Sequence, residues 1–151
     1  METILFSCKD NAGLSPMAVV FFNSMVNQDA LKAVSAGLRP AERIRHEVVR
    51  AMRELDIDLS TSRPRLLTPE ALEAALFVVT LGAEEEYSVP STIPQEHWSM
   101  EECDEKPIAK IRRLRNEVER LVRDLVSRKG WMKSIRRRTS EWAPTGLSVL
   151  E

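Results

Sequence analysis

Only two cysteines, Cys8 and Cys103, occur among the 151 residues. That scarcity excludes a disulfide-stapled scaffold and makes a reducing cytoplasm the expected setting. The two histidines, His46 and His97, match no metal-ligand spacing with each other or with the cysteines, so neither a metal nor a cofactor is expected. No apolar run reaches the roughly 18 residues of a membrane span. The opening METILFSC has no basic segment, long apolar stretch or cleavage signal, which argues against secretion. An excess of one charge is also missing. Lys and Arg total 22 against 23 Asp and Glu, a net charge of −1 that disfavours a strongly basic nucleic-acid binder. What is present is an ordinary globular balance, 43% hydrophobic and 30% charged, in a chain about one domain long. Such a chain can bury most of its apolar surface in one core.

The order of elements follows from local pattern. Residues 3–7 form a short apolar run that suits a buried strand ending at Cys8. Residues 9–14 read as a loop, and Ser15-Pro16 as the cap and first position of a helix running from Met17 to about Val26. A second strand is expected at Leu31–Ser35, closed by Ala36-Gly37, and a helix over residues 42–55 with Ile44, Val48, Met52 and Leu55 on one face. Thr68-Pro69 caps a short helix. Leu76–Leu81 is apolar almost throughout, as in a parallel strand covered on both faces. Residues 82–95 form a polar loop, and a last short strand is expected at Glu96–Ser99. A long helix starts near Pro107, with Ile108, Ile111, Leu114, Val118, Leu121, Val122 and Leu125 on its apolar stripe and the pair Glu119–Arg123 outside. Strands alternating with helices predict a single α/β domain: a four-stranded parallel sheet with helices on both faces.

The composition shifts after Arg128. From Lys129 onward five basic residues face two acidic ones, a charge of +3, leaving −4 for the rest. The chain thus divides into a domain over 1–128 and a basic tail over 129–151. Arg136, Arg137 and Arg138 suit an anionic surface, and Ser140 follows them in a basophilic kinase pattern. A floppy solvated tail is the plainer alternative. Trp131 and Trp142 suggest packing on something, a second copy included.

Chemistry concentrates at residues 8–15. A loop between a strand and a helix N-terminus offers free N–H groups to an anion. A cysteine at its start has its thiolate stabilised by those N–H groups and the helix dipole. No Gly-Lys-Ser/Thr ends the loop, so the ATPase phosphate loop is absent. The run Cys8-Lys9-Asp10-Asn11-Ala12-Gly13-Leu14-Ser15-Pro16-Met17-Ala18 resembles the phosphate loop of the low-molecular-weight protein tyrosine phosphatases and their thioredoxin-coupled arsenate reductase relatives. Val34-Ser35-Ala36-Gly37, the stretch from Val48 to Asp58, Val78–Leu81 and Glu96-His97-Trp98 are similar to further family segments in the same order. The resemblance implies the family fold over residues 3–128, an anion loop formed by Lys9, Asp10, Asn11, Ala12, Gly13, Leu14 and Ser15, and Cys8 as nucleophile.

The departures from the family pattern bear on activity. The family's loop arginine grips the anion with two parallel hydrogen bonds and a full charge; Leu14 stands there. The general acid, an Asp followed by Pro, corresponds to Glu102 and Cys103. The two relay cysteines of the arsenate reductases correspond to Gly82 and Val89. Removing one oxyanion donor costs about 2.7–4 kcal/mol, so the loss at position 14 outweighs the one-methylene change at 102.

The expected function is therefore a degenerate, inactive or weakly active oxyanion-loop module with a binding or regulatory role. Its ligand would be phosphate, sulfate or arsenate, and a protein partner is open. The rival is an active phosphatase or arsenate reductase using Cys8, Glu102 as acid and a substitute cation from Arg39, Arg43 or Arg45, with Arg39 nearest the turn. A further alternative pairs Cys8 with Cys103 as a redox switch. Each residue also has a plain reading: Cys8 as a small buried hydrophobe, Asn11 and Ser15 as turn and cap residues, Glu102 and the arginines as solvated charge, Trp98 and Tyr87 as packing.

Overall fold

The computed structural model describes residues 1–83 and 89–133. Its centre is two strands that bury both faces. In β1 (Glu2–Cys8) every residue from Ile4 onward is buried, and all of β3 (Phe77–Gly82) is buried. The flanking strands β2 (Leu31–Gly37) and β4 (Gln95–Ser99) are partly exposed. The order is β2-β1-β3-β4 and every pairing is parallel, with Ile4 opposite Ala33 and Phe77, Cys8 opposite Gly37, and Leu81 opposite Trp98. The chain moves outward from β1 to β2, then returns across β1 to β3. That reversal is the topological switch point at which open α/β sheets bind ligands, at the strands' carboxyl ends.

Strand alternation divides the core. Ile4, Phe6 and Cys8 join the main cluster with α1 (Leu14–Met25), α2 (His46–Arg53) and α4 (Ile108–Lys129). Phe6 meets Phe22 edge-on at 5.6 Å and Trp98 at 5.9 Å between ring centroids. Leu5, Ala36 and Val78 form a smaller cluster on the opposite face, covered by Leu67 and by Ala71 and Leu72 of the one-and-a-half-turn α3 (Pro69–Ala74). The predicted single α/β domain, a four-stranded parallel sheet with helices on both faces, is the observed one, with three helices on one side and a short one on the other. Thr68 caps α3 as expected, accepting the amide of Ala71.

Two helix starts differ from the sequence reading. α1 begins at Leu14 with Gly13 at its cap, not at Met17 behind Ser15. The Ser15 hydroxyl lies inside the first turn, where it meets Cys8 and Asn11. α2 begins at His46, not near residue 42. The preceding residues wrap the anion loop instead, although Ile44 is buried as its spacing implied.

α4 ends at Gly130, whose positive φ of 73° suits glycine at a helix C-cap. Beyond it Trp131 packs edge-on against Phe22 and Phe77, and Met132 bridges to Val26. Trp131 thus packs on the chain's own core. Tyr87, the tail residues Arg136–Arg138, Thr139, Ser140 and Trp142, and any contact they make lie outside the described residues. Among the described residues no helix is long and apolar enough to cross a membrane.

The α2–α4 junction carries a compact charge cluster. Glu54 accepts from Arg112 Nε and Nη2 and from Arg115 Nη1, while Arg115 Nη1 also donates to the carbonyl of Ala51 at 2.8 Å. The two guanidinium groups hold the Glu54 carboxyl down to about 2. A carboxyl depressed in the folded state contributes stability above its unfolded value near 4.5 and loses it as pH falls towards 2. Thermal melts of Glu54→Gln across a pH series should therefore show a flatter acid limb than the parent over that window. Superimposable acid limbs would remove Glu54 from the acid response.

Candidate functional site

The loop from Lys9 to Gly13 leaves the end of β1 and enters α1 at the carboxyl edge of the sheet. Asn11 sets its shape. The residue adopts a positive φ of 51°, which Asn tolerates better than most residues. It is 1% exposed, and its side-chain amide reaches three segments. Nδ2 donates to Ser15 Oγ at 2.8 Å and to Ser35 Oγ at 2.9 Å, and Oδ1 accepts the amide of Arg65 at 2.8 Å. Gly37 lets the loop lie against β2, because a Cβ there would come within 2.8 Å of the Asn11 nitrogen. The amides of Arg39, Ala41 and Arg45 donate to the carbonyls of Lys9, Asp10 and Ala12, so residues 39–45 bind the loop along its outer edge.

Cys8 sits at the floor of this loop, 1% exposed, with Sγ 3.0 Å from Ser15 Oγ. The backbone N–H groups of Ser15 and Asn11 favour the thiolate, as does the Ser15 hydroxyl. Burial outweighs them and pushes the thiol up, and the neighbouring Asp10 charge adds to the rise. Asp10 Oδ1 accepts the Ala12 amide at 3.0 Å and lies 3.9 Å from Cys8 Sγ; Oδ2 pairs with the Arg45 guanidinium. Leu14 is 1% exposed and belongs to the main core.

A second segment folds over the loop. Cys103 packs directly on Gly13: a Cβ at that glycine would lie 2.7 Å from Cys103 Cβ and 2.8 Å from its Sγ. Glu102 is half-buried, and its Oε2 accepts the amide of Ala83 at 3.1 Å beside Gly82. Burial pushes the Glu102 carboxyl up, with Asp10 and Asp104 adding to the rise, while the Ala83 amide and the charge of Lys9 oppose it. The Cys103 thiol is driven up first by burial and then by the Cys8 charge. Both cysteines are free.

The structure therefore brings Cys8, Asp10, Asn11, Ser15, Glu102 and Cys103 together. Lys9 joins through its charge. Arg39 touches the loop through its backbone amide, which donates to the Lys9 carbonyl. Of the three candidate cations, Arg45 brings its guanidinium to the loop, where it pairs with Asp10, although Arg39 stands nearest the turn in sequence. His97 bonds Thr80 Oγ1 through Nδ1 at 2.7 Å. Among the described residues no cluster of His, Cys, Asp or Glu could hold a metal.

Residues 3–140 match the family model described as low molecular weight phosphotyrosine protein phosphatase. The chain belongs to this family. It is 29% identical over 124 residues to a protein named putative arsenate reductase from Halobacterium salinarum, covering 80% of this chain and 87% of that one. It is 27% identical over 130 residues to an arsenate reductase of Staphylococcus aureus, covering 84% and 98%. Among solved structures, an arsenate reductase from Archaeoglobus fulgidus superposes with a TM-score of 0.71 at 30% identity, covering 82% and 98%. A low molecular weight protein tyrosine phosphatase from T. tengcongensis superposes at 0.71 with 23% identity, covering 85% and 99%, and shows the shared fold.

Because the Asn11 side chain ties the loop to Ser35 of β2 and to the Arg65 amide, truncating it takes a partner from each of these part-buried polar groups. Asn11→Ala should lower stability in urea denaturation by about 1–3 kcal/mol. A loss below about 0.5 kcal/mol, the range of ordinary surface substitutions, would show that water replaces the amide freely.

Proposed function

We propose that this family member is a non-hydrolytic oxyanion-loop module with a binding or regulatory role in a reducing compartment such as the cytoplasm. The observation that carries the reading is Leu14. At the family's arginine position the chain places a side chain in the main core, which offers an incoming anion neither donor nor charge. Two features support it. The Ala12 amide of the loop already has an acceptor, the Asp10 carboxylate. The positions of the arsenate reductases' relay cysteines hold Gly82 and Val89, so no thiol pair stands there to carry reducing electrons to an anion at Cys8. Glu102 retains a carboxyl at the acid position, with its proton held to higher pH than usual by burial. That supplies general acid chemistry worth about 10²–10⁴ in rate only if an anion is first held in line with Cys8.

The purified protein should hydrolyse p-nitrophenyl phosphate at a background rate that Cys8→Ser leaves unchanged. Leu14→Arg, if it folds by circular dichroism, should raise turnover by roughly 10²–10³. Turnover of the parent abolished by Cys8→Ser would overturn the reading in favour of an active phosphatase or arsenate reductase.

A second reading, a reversible Cys8–Cys103 disulfide, is favoured by the seat of Cys103 on Gly13. Two thiols and one hydrogen peroxide would give the disulfide and two waters: Cys8 sulfur takes an oxygen to become sulfenic acid, and Cys103 sulfur then displaces it as water. The raised thiols oppose fast reaction, since the thiolate is the nucleophile. Thiol counting after mild peroxide treatment should fall from two to none and recover with reductant. Two free thiols throughout would exclude the switch.

A further inference from the structure

The Asp10 carboxylate lies beside the Cys8 thiol and the Ala12 amide of the loop. Asp10 Oδ1 accepts the Ala12 amide and approaches Cys8 Sγ, while Oδ2 pairs with Arg45. One planar group thus spans a thiol, a loop amide and a guanidinium. A tetrahedral oxyanion offers two oxygens in a similar arrangement, with further acceptors and more charge. The carboxylate and guanidinium are both partly exposed at the loop's rim, so the pair is within reach of a ligand from solvent.

The backbone of Arg45 is anchored independently of its side chain. Its amide donates to the Ala12 carbonyl, and its own carbonyl accepts the amides of Val48 and Val49 at the start of α2. The guanidinium therefore projects from a fixed point beside the loop.

We propose that Asp10 is a built-in occupant of the loop, and that Arg45 is the cation that binds a phosphate- or arsenate-class oxyanion once the Asp10 carboxylate leaves the Ala12 amide. The proposal rests on the preceding reading of the loop as an oxyanion module and names what holds the anion in the absence of the family's arginine. Asp10 hinders binding twice, by occupying the amide and by repelling a like charge a few ångströms away. The like-charge part alone is worth about tenfold or more in affinity at effective dielectric constants near 20.

The test is calorimetric titration of the reduced full-length chain with inorganic phosphate and with arsenate. Asp10→Ala should bind both at least tenfold more tightly than the parent. Asp10→Ala/Arg45→Gln should return to the parent's weak binding, and Asp10→Ala/Arg45→Lys should keep part of the gain. If Asp10→Ala misfolds by circular dichroism, Asp10→Asn removes the charge while leaving an amide acceptor, and a smaller but measurable gain is expected. No gain in whichever variant folds, or a gain that survives Arg45→Gln, overturns the proposal. The two readings fail separately. Cys8-dependent turnover by the parent overturns the non-hydrolytic reading, whereas an inert parent whose Asp10 variants gain no binding overturns only this one.

Discussion

The Asn11 side-chain amide bonds to the first turn of α1, the end of β2 and the backbone of the segment that follows Leu59. Those three places are 24 to 54 residues from Asn11 in sequence, or four in the case of Ser15. A loop at a sheet's carboxyl edge has few hydrogen bonds of its own, and most of its amides must face inward if it is to hold an anion. Its curvature therefore depends on partners outside it. With Asn11 at a positive φ and buried, the loop's shape is determined by the fold rather than by a ligand. This explains how the cradle persists with a leucine at position 14: the side chain there makes none of the hydrogen bonds that hold the loop.

Charge follows the same logic. The N-terminal end of α1 and the inward amides make a positive environment. In a loop that carries an arginine, that environment is completed by a guanidinium and balanced by the bound anion. Here the leucine at position 14 contributes to the core instead, and Asp10 supplies the negative charge from within the chain. Arg45 then neutralises Asp10 from the wrapping segment, which is fixed by three main-chain bonds to the loop. Leu14, Asp10 and Arg45 thus form one arrangement, in which the Ala12 amide and the Asp10 charge are both partnered from within the chain.

The fold was legible because its signals are local. An apolar run bounded by turn residues identifies β1 and β3, a Thr-Pro pair starts α3, and a seven-residue stripe marks α4, so the parallel sheet follows from the alternation alone. The helix starts at 14 and 46 were not legible, because both are decided by tertiary bonds. Ser15 has the chemistry of a cap but is drawn to Cys8 and Asn11, and residues 42–45 read as the start of a helix although the Arg45 amide goes to the loop. Of the residues the sequence singled out, the structure gathers Cys8, Asn11, Ser15 and Glu102 around the loop. The Asp10–Arg45 pair was not legible, since nothing in a run of three arginines indicates which one faces a carboxylate 35 residues earlier.

The raised Cys8 thiol connects these observations to reactivity. A buried thiolate is favourable only where nearby positive charge and hydrogen-bond donors outweigh desolvation. Two N–H groups and one hydroxyl face this sulfur, yet burial prevails, and the nearest charge is negative. A guanidinium at position 14 would favour both the thiolate and the anion it attacks; a carboxylate at position 10 disfavours both. The leucine at 14 and the carboxylate at 10 thus weaken nucleophile and ligand together, and a general acid at Glu102 compensates for neither. The field around Cys8 is thus set jointly by positions 10, 14 and 45: a guanidinium at 14 restores part of the chemistry, and the Asp10 charge still opposes it.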